Sequence, residues 1–141
     1  MALTFEKSER LSSKKNIEKL FSKGNRGFTS FPFRFSWVLI SHDTISPVQV
    51  LIAVSKRNFP KANQRNAIRR QIRELYRVRK DQLIESVHSS EWQMALMIAY
   101  IAKEKTDFQG LETKFDLSFH RLISEIEKTD TGTIHTTDKM L

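Results

Sequence analysis

Arg65, Arg69, Arg73 and Arg77 recur every fourth residue in a stretch without glycine or proline. On a helix that spacing stacks their guanidinium groups along one face, with Asn66 and Arg70 beside them. The planar fork of arginine makes paired hydrogen bonds to phosphate and can also bond base edges, so the chemistry on offer is the binding of a polyanion. Ile68, Ile72 and Leu75 lie round the cylinder and can hold the helix on a sheet. The alternative is an ordinary solvated helix face. Such faces mix signs, because like charges four apart repel by about 0.2–0.5 kcal/mol. Between Lys56 and Lys80, ten of the 24 Lys/Arg stand against one of the 16 acids, Glu74, leaving 14 and 15 elsewhere. The whole formal excess of +8 sits in this segment, and an external anion is expected to balance it.

Two neighbouring groups could add to that surface. Ser55-Lys56-Arg57 follows an apolar run directly, and Lys61 precedes the arginine helix. A strand end feeding a helix N-terminus gathers backbone amides and basic side chains into a phosphate pocket. Phe31, Phe33, Phe35 and Trp37 form an aromatic stripe with two readings. The rings form the core under the helices, or one or two of them, with Phe21, line a groove on which unstacked bases rest.

Nothing resembles a catalytic centre carried by the protein. His42, His88, His120 and His135 are scattered, and there is no cysteine to join them in a metal site. Glycine-rich phosphate loops and nucleophile elbows are absent, and Glu125 and Glu127 fall on different helix faces. Any catalytic role must be borrowed from a partner.

The elements that position these residues follow from periodicity. Ser12 or Ser13 can cap a first helix with Leu11, Ile17, Leu20 and Phe21 as apolar positions, ending at a Gly24 cap. A turn with a short extended piece near Phe28 follows. Strict alternation from Phe31 to Leu39 predicts a strand with Arg34 and Ser36 on its second face. After a turn over Ser41 to Pro47, the nearly continuous apolar run Val48 to Val54 predicts a second, central strand. One long helix is expected from Ala62 to about Val87, broken by Ser89 and Ser90. Met94 to Ala102 reads as a buried strand and Phe108 to Ile126 as an amphipathic helix. Residues 1–128 form one domain, and the Thr-rich 129–141 a disordered tail. The strand–helix–strand run from Val48 to Ala102 suggests a parallel pair in a small α+β sandwich.

Composition narrows the class further. The 39% hydrophobic and 28% charged residues are those of a globular chain. Its longest apolar runs are too short to span a bilayer, the first ten residues lack a secretory signal, and the absence of cysteine fits a reducing cytoplasm.

In this setting the sequence resembles the protein subunit of bacterial ribonuclease P. Arg10-Leu11 precedes a helix ending at Phe21 and Gly24, and a strand runs into Val54-Ser55-Lys56-Arg57. The family's signature, Arg-Asn-x-x-[Lys/Arg]-Arg-x-x-Arg-Glu, is matched from Arg65 to Glu74 and followed by Tyr76-Arg77. The resemblance spans roughly residues 5 to 126. Ala67 stands where the family usually has arginine, and Ile17 where it often has an aromatic.

The resemblance implies an α-β-β-β-α-β-α fold, with a first strand near Arg26 to Thr29 and a left-handed crossover through the arginine helix. Physical priors favour the opposite hand. It further implies that Lys61, Arg65, Asn66, Arg69, Arg70, Arg73 and Arg77 contact RNA. Phe21, Phe33 or Phe35, Ser55, Lys56 and Arg57 would line a groove for the 5′ leader of precursor tRNA. The RNA subunit and its Mg2+, held mainly by RNA and substrate, would perform the cleavage, with one protein per ribonuclease P RNA and no membrane. A non-enzymatic RNA-binding module is the first rival. A DNA major-groove reader ranks last, because a strand and a proline loop, not a helix and turn, precede Arg65.

Overall fold

The computed structural model describes residues 5, 7–22, 25–40, 46–88 and 93–140, without the side chains of 88 and 129–140. A short 3-10 turn (Lys7–Glu9) leads to α1 (Lys14–Leu20), β1 (Arg26–Ser30), β2 (Phe33–Ile40) and β3 (Val48–Val54). Then come α2 (Ala62–Arg77), α3 (Lys80–His88), β4 (Gln93–Tyr100) and α4 (Phe108–Met140). The four strands form one sheet in the order β1-β2-β4-β3. β1, β2 and β4 pair antiparallel, while β3 and β4 pair parallel and are joined by a crossover through α2 and α3. The α+β fold class and its element order agree with expectation, with the arginine helix divided in two.

The aromatic alternation of β2 decides which way the sheet faces. Phe33 and Phe35 are fully buried and Trp37 nearly so, in one core with Phe28, Ile68, Ile72, Tyr76, Phe115 and Phe119. The Phe33 and Phe115 rings meet edge to face at 5.3 Å between centroids, and Phe28 stacks on Phe35 at 5.4 Å. The opposite face is covered at one end by α1, where Leu11, Ile17 and Leu20 meet Val38, Ile40, Leu51, Ala95 and Met97. Ser36, on that face, is buried. Ser13 caps α1 by accepting the Asn16 N–H at 3.3 Å, which fixes where the helix starts.

Four expectations need correction. β2 begins at Phe33, because Phe31 and Pro32 form a turn with a cis peptide bond between them. Phe31 is left 65% exposed. β3 is an edge strand: its continuous apolarity reflects burial of Val48, Val50 and Val54 under helices and half-burial of Leu51 beneath α1. The N-terminal segment covers part of its outer edge, where the Leu11 N–H donates to the Val50 carbonyl at 2.9 Å. The helix expected from Ala62 to Val87 is interrupted at Val78 and Arg79. There the Arg79 N–H bonds the Tyr76 carbonyl three residues back, tightening the last turn.

Finally, α4 continues to Met140 instead of stopping near Ile126 before an aperiodic tail. No proline lies between Thr129 and Met140, so each added residue keeps its backbone hydrogen bond. The cap expected at Gly24, most of the turn expected over Ser41 to Pro47, and the break expected at Ser89 and Ser90 lie outside the described residues.

Candidate nucleic-acid interface

α2 presents its basic stripe because its other side is anchored. Ile68, Ile72, Leu75 and Tyr76 are buried against the sheet and α4. Its first turn holds no acid, so the positive end of the helix dipole adds to Lys56, Arg57 and Lys61 nearby. Arg65 reaches back from the first turns. Its Nη1 donates to the carbonyls of Phe59 and Pro60, both at 2.8 Å, fastening the loop between β3 and α2. Within that loop the Ser55 hydroxyl accepts the N–H groups of Arg57 (3.1 Å) and Asn58 (3.3 Å), leaving Lys56 and Arg57 exposed. Strand end and helix start thus both expose basic side chains, Lys56 and Arg57 after β3 and Lys61 before α2.

Further along, Arg69 donates to the Asn66 side-chain oxygen at 2.9 Å, and Arg70 is exposed. Arg73 is half-buried, and its Nε has no hydrogen-bond acceptor among the described residues. Its pKa is pushed below the ordinary arginine value, first by burial and then by repulsion from Arg10, Arg70 and Arg69. The guanidinium stays charged nonetheless, since arginine does not deprotonate in proteins. A cluster of cations that repel one another is stabilised by an anion placed among them.

The last three cations of the run are different. Arg77 makes a two-pronged ion pair with Glu74, at 2.6 and 2.9 Å. That pairing holds the Glu74 carboxyl below its usual pKa and raises that of Arg77. Arg79 spans Glu112 (3.2 Å) and Asp116 (3.1 Å) on α4 and also donates to the Leu75 carbonyl. Lys80 forms a buried ion pair with Glu9 at 2.7 Å. Seven of the ten cations between Lys56 and Lys80 therefore have no acidic partner among the described residues. The external compensation expected for the whole run falls to those seven.

The aromatic residues expected to line a groove part company. Phe21, at the end of α1, is 69% exposed and offers a ring face. Phe33 and Phe35 are at 0% exposure between the sheet and α4, so neither can receive a base, and they form the core. The sheet face open to solvent is the opposite one. Beyond the end covered by α1, Thr29, Arg34, Ala99 and Ala53 form a row across all four strands. Arg34 is exposed there and donates to the Thr29 hydroxyl at 2.9 Å. The row lies at the strand ends that lead into Ser55 on one side and Phe31 on the other. Arg34 could have been found from the two-residue period of β2, which places it on the face away from the rings. Arg10, drawn close to Arg73, could not, since only tertiary structure joins them.

Among the described residues, no group of three or more His, Cys, Asp or Glu is placed to hold a metal ion, and no helix is long and apolar enough to cross a membrane.

A family model described as Ribonuclease P matches residues 5–123. The ribonuclease P protein component of Porphyromonas gingivalis is 28% identical over 120 residues, covering 85% of this chain and 87% of the relative. That of Marinobacter nauticus is 36% identical over 80 residues, or 57% and 58% of the two chains. Among solved structures, the Staphylococcus aureus RNase P protein superposes with a TM-score of 0.60 at 19% identity, over 81% of this chain and 94% of the other. The Thermotoga maritima RNase P protein gives 0.58 at 18%, over 85% and 96%.

Proposed function

The chain belongs to the ribonuclease P protein family, and we propose that it is the protein subunit of that ribonucleoprotein, binding the catalytic RNA and the 5′ leader of precursor tRNA. One observation carries the reading: the arginine stripe of α2 from Arg65 to Arg73 lacks acidic partners among the described residues, inside a segment that reproduces the family signature. Arg65, Arg69, Arg70 and Arg73, with Asn66 and Lys61, bind phosphates of the RNA subunit. Arg77 is the weakest contributor, because Glu74 already occupies its fork.

The leader lies over the open sheet row, where Ala53 and Ala99 are small enough to let a strand of RNA approach. Arg34, Lys56 and Arg57 then meet its phosphates, and Phe21 offers a ring for stacking. The Ser55 hydroxyl, by fixing the turn, positions Lys56 and Arg57.

The protein's part is positioning and electrostatic relief. Neutralising phosphates lowers the repulsion between two RNAs and lets the substrate settle at lower magnesium concentration. Magnesium, held mainly by the RNA subunit and the substrate, supplies the Lewis acidity for phosphodiester hydrolysis. The complex contains one protein per RNA and acts in the cytoplasm on precursor tRNA.

The test is cleavage of a precursor tRNA by a bacterial ribonuclease P RNA at low magnesium, with and without this protein. Restored cleavage at the mature 5′ end, lost on changing Arg65, Arg69 and Arg73 together to alanine, is the expected result. A folded protein that binds structured RNAs with steep salt dependence yet never stimulates cleavage would make it a non-enzymatic RNA-binding module.

A further inference from the structure

A cavity of about 400 Å³ opens beside β3, where Val50, Leu51 and Ile52 are among its lining residues. Phe5, Arg10, Leu11, Arg69 and Arg73 line it too, and no acid among the described residues does. Its volume falls within the range of small-ligand pockets, roughly 300–1,000 Å³. The Arg10 and Arg73 guanidinium carbons lie 5.9 and 5.8 Å from the centroid of the Phe5 ring. Tyr76 meets the same ring edge-on at 6.0 Å, which fixes the ring's tilt. Because the Val50 carbonyl turns outward to accept from Leu11, the two-residue period of the strand turns the peptide groups of Ile52 outward too. An apolar slot, an aromatic ring, an edge with backbone donor and acceptor, and three arginines are thus brought to one place.

We propose that this cavity takes a single unstacked nucleotide of the RNA that binds α2, its base against Phe5 and Ile52 and its phosphate among Arg10, Arg69 and Arg73. This inference rests on the RNA-binding reading above and adds to it a defined nucleotide subsite. The apolar floor suits a base face, which every nucleobase presents, so the pocket selects for an extruded nucleotide more than for a sequence. The phosphate answers the charge: it supplies the anion that no described residue gives the mutually repelling arginines. A helical stretch of RNA, with its bases paired and stacked, would not fit, so the pocket favours a bulge, loop or end.

The test uses the full chain with a bacterial ribonuclease P RNA. Phe5→Leu keeps an apolar side chain against Tyr76 but removes the aromatic face. It is expected to weaken RNA binding roughly tenfold with the salt slope unchanged. Arg10→Ala is expected to reduce the log–log salt slope by about one unit. Wild-type affinity and slope in both variants would overturn the inference while leaving the RNA-binding reading standing. Failure of the unaltered chain to bind the RNA would overturn both. A second measurement is independent of any variant's folding. Adding adenosine 5′-monophosphate should shift the Ile52 amide and Phe5 ring resonances well beyond the shifts inorganic phosphate alone produces. Equal shifts with both would make this an anion site only and overturn the placement of the base.

Discussion

The two ends of the basic run between Lys56 and Lys80 look alike as sequence and behave differently in the fold. From Lys56 to Arg73 the cations project from a loop and one face of α2, with no acidic partner among the described residues. From Arg77 to Lys80 each is matched by an acid, on the same helix (Glu74), on α4 (Glu112, Asp116) or in the N-terminal turn (Glu9). The first group is available to an outside polyanion, and the second holds α2, α3, α4 and the N-terminal turn together. Net charge along a sequence says how much compensation is needed; only tertiary structure says where it comes from.

Substitutions can break that division. Lys80→Met removes the cation paired with the buried Glu9 carboxylate and is expected to destabilise the chain by about 3–5 kcal/mol, read by denaturant unfolding. A loss below about 1 kcal/mol would mean the pair is not buried in solution. Arg79→Ala should lower stability by about 1–2 kcal/mol, since its two acids are half exposed. It should leave the salt slope of RNA binding as it is; a slope reduced by one would move Arg79 into the interface. Arg69→Ala should do the reverse, reducing the slope by about one unit with stability within roughly 0.5 kcal/mol.

The smallest effect concerns Glu74. Its carboxyl pKa is depressed below the ordinary 4.5 by the Arg77 hydrogen bond. The folded value lies under the unfolded one, so the pair's contribution is present above pH 4.5 and is lost as pH falls through the lowered value. The midpoint difference between wild type and Glu74→Gln should therefore be small at neutral pH and close in acid. A difference that persists unchanged in acid would mean that the charge pair does not account for it. At neutral pH and low salt, removing the Glu74 charge beside the arginine stripe should also tighten RNA binding slightly.

The same division explains what could be read from the sequence. α2's charged face and buried stripe were legible because both depend on spacing within one helix. The strand from Phe33 was legible through its alternation, although that pattern could not separate a core of rings from a ring-lined groove. The answer depended on α4 bringing Phe115 and Phe119 against Phe33 and Phe35. The interruption at Val78 and Arg79 was hidden, because the partners of Arg79 and Lys80 lie 33, 37 and 71 residues away along the chain. β3 looked central because both its faces are covered, and sequence does not distinguish covering by helices from pairing on both edges. The cavity beside Phe5 was invisible for a similar reason: its walls come from the N-terminal segment, β3 and α2.

The most direct test of the central claim is the salt dependence of binding between the full chain and a bacterial ribonuclease P RNA. With four arginines and Lys61 on phosphates, the log–log slope is expected to be roughly −3.5 to −4.5. Changing Arg65, Arg69 and Arg73 together to alanine should make it shallower by about two to three units in a protein that remains folded. A folded triple variant that keeps the full slope would contradict the claim and place the RNA on another surface.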